Sequence, residues 1–382
     1  MFFLSKISLT QFKNYQFARF DFTQRVTGIC GLNGKGKTNL LDAAYYCCFT
    51  KSYFTKVDGL NARFDSDGFR IEASSLSSSL SSFGGENPGD ISGDISEMNT
   101  KKADEIVCIF RNGGKKEVML NGVAYTKLSE HIGKFPAVMI APDDISLITE
   151  GSEERRRFMD TVLSQMDAGY LQQLMIYNKV LQQRNSLLKS FAEQGKTDWQ
   201  LLEVLDEQLI APGDFIFAKR KLFTEALIPL VQQFYSRIAD NDEVVTLQYD
   251  SRLHDSSFYD LLNNYRQKDF AAQRSNAGIH KDDIVFQLNG QVFKTTASQG
   301  QRKSLLFALK LAEFELLKAN KGFAPLLLLD DVFEKLDDNR MQQLLHWVCH
   351  ENTGQVLITD THKERLQEAF EKLNTAYQII EL

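Results

Sequence analysis

The run Gly31-Leu32-Asn33-Gly34-Lys35-Gly36-Lys37-Thr38 sets three glycines and two lysines directly behind the apolar stretch Val26–Cys30. Gly31, Gly36, Lys37 and Thr38 satisfy G-x-x-x-x-G-K-[ST], a loop whose backbone N–H groups, followed by a helix N-terminus, surround phosphate. There Lys37 reaches the β- and γ-phosphate oxygens, and the Thr38 hydroxyl ligates Mg²⁺. Such a loop needs a carboxylate at the end of another buried strand to hold the metal. Leu326–Leu329 end in Asp330-Asp331, which places Asp330 in the metal shell and gives Asp331 the attacking water to orient or activate. The competing reading of this pair is a cap on the next helix, a position Asp favours.

Further along, Ser298-Gln299-Gly300-Gln301 opens a strong helix former, so a second helix N-terminus with small and amide side chains is available for phosphate. Taken alone the tetrapeptide is a turn and a helix cap. In "GQVLITDTH" Asp360 and His362 are both candidates for the place of a γ-phosphate switch, and His362 reads equally well as a buried or merely exposed side chain. Basic side chains concentrate at Arg155, Arg156 and Arg157 and again at Lys219–Lys221, while Lys51, Lys56 and Arg63 follow the phosphate-loop helix. Each can meet DNA phosphate, or can be a solvated face paired with neighbouring acids.

The elements that must position these groups are legible as patterns. Strands are expected at Leu4–Leu9, Phe17–Phe22 and Val26–Cys30, then a helix through Leu40, Ala43, Ala44 and Cys47. The segment 74–99 is so rich in serine and so poor in large apolar groups that it reads as a mobile insertion between two strands. Strand-like runs return at Glu105–Arg111 and Glu117–Leu120, with Asn121-Gly122 as turn chemistry. From about Gly151 to Phe270, leucines and aromatics recur at three- and four-residue steps, a helical lobe with a break expected near Pro212–Gly213. The division that follows is an ATPase lobe over 1–145, a helical lobe over 146–275, and the rest of the ATPase lobe over 276–382.

The chain has 382 residues, a formal net charge of -6 and five cysteines. It is long enough for two or three lobes, and its acidic balance confines any nucleic-acid contact to local patches or subunit interfaces. The cysteines have no metal-ligand spacing and read as reduced, buried thiols. No apolar run reaches the roughly 20 residues needed to span a bilayer, and the opening lacks a signal-peptide core, so a cytoplasmic protein without a membrane partner is expected.

Six blocks, "ISLTQFKNY", "GLNGKGKTNLLDA", "APDDISLITEGSEERRRFMD", "GIHKDDI", "ASQGQRKSLLFALKLAE" and "LLLLDDVFEKLDDNR", stand in the order and approximate spacing of the RecF family of bacterial recombination-mediator ATPases, which the chain resembles. The resemblance implies an α/β, P-loop ABC-type ATPase head, SMC-like, with an inserted helical second lobe. It also implies ATP and Mg²⁺ as cofactors, an ATP-dependent homodimer that clamps DNA at gaps and single-strand/double-strand junctions, and cooperation with RecR and RecO to load RecA. Carried over by residue, it assigns Asn33 through Thr38 to the nucleotide and sets Lys13 and Asn14 near it. Ser298, Gly300 and Gln301 would complete the site in trans, and Asp337 would belong to the loop linking the two sites. Lys13 and Lys281 stand where the family often has arginine, and Ile279 where it has proline; lysine keeps the charge but loses the bidentate fork. Alternative readings are an ABC-type subunit of another assembly and a scaffold that binds ATP without hydrolysing it.

Overall fold

The computed structural model describes residues 2–77, 103–195, 197–239, 243–332 and 338–382. In chain order the elements are β1 (Phe2–Phe12), β2 (Tyr15–Asp21), β3 (Val26–Cys30), α1 (Lys37–Phe49), β4 (Gly68–Ser77), β5 (Asp104–Arg111), β6 (Lys115–Leu120), β7 (Val123–Ala124) and β8 (Ala137–Ile140). There follow α2 (Ser146–Thr149), α3 (Ser152–Met166), α4 (Ala168–Gln194), α5 (Trp199–Ala239), β9 (Val245–Asp250), α6 (Phe258–Ala272), β10 (Asp283–Leu288), β11 (Gln291–Val292) and α7 (Phe293–Thr296). The last are α8 (Gln299–Lys321), β12 (Leu326–Leu329), α9 (Asp338–His346), β13 (Val356–Asp360), α10 (Lys363–Lys372) and β14 (Tyr377–Glu381). They form two compact units, Met1–Asp144 with Lys310–Leu382, and Ile145–Leu309.

The first unit holds two sheets. One is antiparallel, in the order β2-β1-β4-β5-β6-β7, and the other is parallel, in the order β14-β3-β13-β12-β8. The parallel strands are continuous apolar runs because both faces are covered: β3, β8, β12 and β13 are buried along their whole length. Apart from Asp42, helix α1 is apolar around its whole circumference from Leu40 to Phe49 and is correspondingly buried, in one core with residues of both sheets. The Gln355 side chain accepts from Leu4 N at 2.8 Å and donates to Leu4 O at 2.9 Å, tying β1 to the entry of β13. Asp360 pairs with Cys30 across β13 and β3, and Leu329 with Ile358 across β12 and β13. The loops leaving β3, β12 and β13 therefore emerge at the same carboxyl edge, where open parallel sheets bind ligands.

Ser74–Ser77, expected inside the serine-rich insertion, are strand instead. They pair with β1 on one side, and Ser74 and Ser75 with β5 on the other, which satisfies their backbone despite their weak side chains. Residues 78–99 of that segment lie outside the described residues.

The second unit packs α3, α4, α5 and α6 with a small antiparallel sheet, β11-β10-β9. The break expected near Pro212–Gly213 is absent: α5 runs for 41 residues with both Pro212 and Pro229 inside. An interior proline costs about 3 kcal/mol, which burial of Leu205, Leu209, Ile216 and Phe223 along the same helix offsets. Gly213 is small because a Cβ there would lie 2.3 Å from a ring carbon of Phe258. Nor is the lobe helical throughout to Phe270, since Val245, Leu247 and Tyr249 alternate with polar neighbours and pair with β10. That pairing also brings residues 276–309, expected with the ATPase lobe, into the second unit.

The five cysteines are free and buried. Among the described residues, no helix is long and apolar enough to cross a membrane.

Candidate nucleotide site

The phosphate loop connects β3 to α1 through backbone that side chains resist. Gly31, Gly34 and Gly36 have φ of 151°, 83° and 109°, in the region where only glycine is unstrained. Gly36 carries a second constraint, because a Cβ would come within 2.8 Å of the Asn14 side chain and the Tyr15 hydroxyl. Asn14 donates to Lys35 O at 3.0 Å and accepts from Asn39 Nδ2 at 2.8 Å, while Tyr15 donates to Gly36 O at 3.0 Å. The hairpin between β1 and β2 thus braces the loop from outside. Burial pushes the Tyr15 hydroxyl well above its usual titration range, so it stays a donor.

Lys37 is buried and donates to Gly31 O at 2.5 Å and Leu32 O at 3.2 Å, closing the loop around its own ammonium. Thr38 Oγ1 lies 3.0 Å from both carboxylate oxygens of Asp330, at the end of β12. Thr359, on β13 between the two strands, donates to Asp330 Oδ1 at 2.8 Å and accepts from Asp331 N at 2.9 Å. Burial raises the Asp330 carboxyl, and the Thr359 and Thr38 hydroxyls pull against that rise by hydrogen bonding to the anion. Asp331 takes a left-handed φ of 50°, a conformation that non-glycine residues adopt at a cost. A hydroxyl and a buried carboxylate converging beside a ring of loop N–H groups are hard oxygen donors of the kind Mg²⁺ takes.

Lys13 is held elsewhere. Its ammonium is 2.5 Å from Asp42, a fully buried carboxylate on α1 that also accepts from Ser52 Oγ and Tyr53 N. Asp360 is buried too, and accepts from Arg365 and from His362 N, whereas the His362 side chain is exposed.

The profile of the RecF/RecN/SMC N terminal domain matches residues 3–380. A curated DNA replication and repair protein RecF of Flavobacterium johnsoniae is 41% identical over 379 residues, 99% of either chain. The chain belongs to the RecF family. The RecF of Bacteroides thetaiotaomicron is 39% identical over 98% of this chain and 95% of its own. A solved structure of the recombination mediator RecF with ATP, in the RecFOR pathway, superposes with a TM-score of 0.82 at 29% identity, covering 95% of this chain and 92% of that one. The Smc head of Pyrococcus furiosus shares the fold, with a TM-score of 0.54 at 14% identity, covering 100% and 93%. The α/β ABC-type ATPase head expected from the sequence is therefore the fold of this RecF-family chain.

In the second unit, Ser298 and Gln301 form a reciprocal cap on α8. Gln301 Oε1 accepts from Ser298 N at 2.6 Å, and Ser298 Oγ accepts from Gln301 N at 3.2 Å. Gln301 also donates to Glu243 at 2.6 Å. Gly300 lies in the first turn of α8, and Asp337 lies outside the described residues.

Of the basic residues expected on DNA, Arg155 is a correction. It is buried and pairs with Asp283 through two bonds of 2.6 and 3.0 Å, with further bonds to Leu147 O and Glu150 O. Arg157 is exposed but paired with Glu153 and Glu154, as the solvated-face reading has it. Arg156 is half-buried and donates to Asp282 O. Of the second run, Lys219 pairs with Asp167 and buried Arg220 with Asp160 and Asp282. Lys51, Lys56 and Arg63 are exposed on the segment after α1. Sequence reasoning missed Thr359, Tyr15 and Asp42; a hydroxyl two residues beyond Leu357 was the available signal for the first.

Proposed function

We propose that the chain is an ATP-gated, DNA-binding dimer acting in DNA repair, recombination and replication, and that slow hydrolysis, stimulated by DNA, controls its dimerisation. The observation that carries this reading is the meeting of Thr38 and Asp330 beside the phosphate loop. With nucleotide present, Lys37 exchanges the Gly31 and Leu32 carbonyls for β/γ-phosphate oxygens, and the loop N–H groups from Asn33 onward hold the remaining phosphate charge. Thr38 and Asp330 would hold Mg²⁺, whose charge would offset that developing on the phosphates. Asp331, held by the backbone bond of its N–H to Thr359, orients the attacking water. Lys13 acts through Asp42 on the position of α1, and Asn14 acts through the Lys35 carbonyl.

The α8 cap of one subunit, Ser298, Gly300 and Gln301, meets the γ-phosphate held by the other, so that each nucleotide joins two subunits. Asp337 is assigned to the loop linking the two sites by the family resemblance alone. Family membership supports RecO and RecR as partners and RecA loading at gapped DNA as the outcome. Lys51, Lys56 and Arg63 are DNA contacts on the first unit, on the segment that follows α1.

Light scattering with ATP and Mg²⁺ tests the gate, comparing the parent with Lys37→Met and Ser298→Arg, each with and without gapped duplex. Doubling of mass in the parent alone is the expected result. A parent that binds ATP and remains monomeric overturns it.

A further inference from the structure

The segment Gly278–Asp283 joins α6 to β10 and carries three charged side chains in a row, Lys281, Asp282 and Asp283. The two acids face inward. Asp282 is 2% exposed and accepts from Arg220 and Tyr249, and Asp283 holds Arg155. Nearby Asp269 is fully buried and holds Arg184, at 2.7 Å. Asp282, Asp283 and Asp269 are thus each neutralised by a buried guanidinium.

The cations left outside have no such partner. Arg252, Lys268, Arg274 and Lys281 are exposed, and none of them pairs with a carboxylate among the described residues. Arg252 donates to Asn276 O at 2.9 Å, which fixes it two residues from Arg274, and Arg156 donates to the carbonyl of Asp282, next to Lys281. Glu153, whose charge Arg156 feels, is paired with Arg157 at 3.2 Å. Burial together with the Arg274, Arg156 and Arg252 guanidiniums, against the opposing pull of Asp269, holds the Lys281 ammonium below its ordinary value, so these cations are close enough to repel. In a chain of net charge -6, a cluster of like charges that mutual repulsion disfavours calls for an anionic partner.

We infer that Arg156, Arg252, Lys268, Arg274 and Lys281 form a phosphate-binding face on the second unit that takes the backbone of duplex DNA without reading its sequence. Two observations select this ligand. The ring of Tyr265 is already covered by Arg252 at 4.7 Å and Lys268 at 5.5 Å, so it offers no free platform on which an unpaired base would stack. Nor does any exposed large aliphatic or phenylalanine side chain lie within residues 252–281 to enter a lipid surface. Phosphate contact by cations from separate elements is the mode this cluster favours, although Tyr259, 56% exposed within the same span, carries none of these cations over its ring.

The inference rests on the proposed DNA-binding function, and the test separates the two. Anisotropy of a labelled duplex is followed against salt for the parent and for Arg252→Gln/Arg274→Gln/Lys281→Gln. The charge-reversed triple Glu variant runs beside them, with ATP binding and circular dichroism as checks of folding. The Gln variant is expected to lose about tenfold or more in affinity, and its slope of log affinity against log salt becomes shallower by about 0.9 per phosphate contact removed. A parent that binds no duplex overturns the proposed function and this inference together. A parent that binds while the folded Gln variant keeps both affinity and slope overturns this inference alone. So does loss of binding to phosphatidylserine vesicles with duplex binding unchanged, which would make the face a membrane contact.

Discussion

Asp330 sits between two threonine hydroxyls that arrive from different strands, Thr38 after β3 and Thr359 on β13. Thr359→Val keeps the shape and removes the hydroxyl, leaving Asp331 N without its acceptor. Hydrolysis is expected to fall with ATP affinity nearly unchanged, and stability to drop by about 1–3 kcal/mol, read from single-turnover kinetics and a denaturant midpoint. Asp331→Asn should lower hydrolysis by about 10²–10⁴-fold with nucleotide still bound. Lys37→Met should instead weaken nucleotide binding about ten- to a hundredfold, which equilibrium titration measures. The phosphate loop and Asp330 were legible because their chemistry is contiguous in the chain. Thr359 was not, since its role depends on β13 lying between β3 and β12. Arg155 misled for the opposite reason: a triple arginine looks like a surface, and only tertiary structure shows that its first member is buried against Asp283. Arg155→Ala should therefore lower stability by about 3 kcal/mol in thermal or denaturant unfolding, because Asp283 is left without its cation.

At the level of elements, apolar runs located β3 and β12 and three- and four-residue steps located α1, α8 and the long helices of the second unit, whereas β8, β14, α9 and α10 were not read, and what long-range packing decides was missed. Pro212 looked like a helix end, yet α5 continues because Phe258 of α6 fills the space over Gly213. Gly213→Ala should destabilise by about 1–3 kcal/mol through overpacking, visible as a lower unfolding midpoint. The junction between α6 and β10 is also tuned by a histidine. His280 accepts from the Tyr177 hydroxyl at Nδ1 and donates from Nε2 to Ser275 O, an arrangement that requires the neutral ring. Burial lowers its pKa to about 4, against 6.5 for the free group. The unfolded chain thus binds a proton that the folded chain refuses between these values, so stability falls as pH drops from about 6.5 to about 4, by on the order of 3 kcal/mol. Measuring unfolding of the parent and of His280→Gln across this range should show the parent's advantage shrinking towards acid pH.

For the whole molecule, the division into two units separates the groups proposed to act on one nucleotide: the loop and Asp330 in the first, the Ser298 cap in the second. Ser298→Arg should leave ATP binding intact and abolish the ATP-dependent gain in mass. Since all five cysteines are buried, with the Cys30 thiol pushed up to about 11 by burial and by Asp360, the native surface offers a thiol reagent almost nothing to attack. A maleimide fluorophore should therefore label a single cysteine introduced at an exposed position outside the proposed binding groups, such as Lys115 or Lys179, with the native thiols left in place. Subunit approach and DNA arrival then become distances that fluorescence transfer can follow in real time on an otherwise unaltered chain.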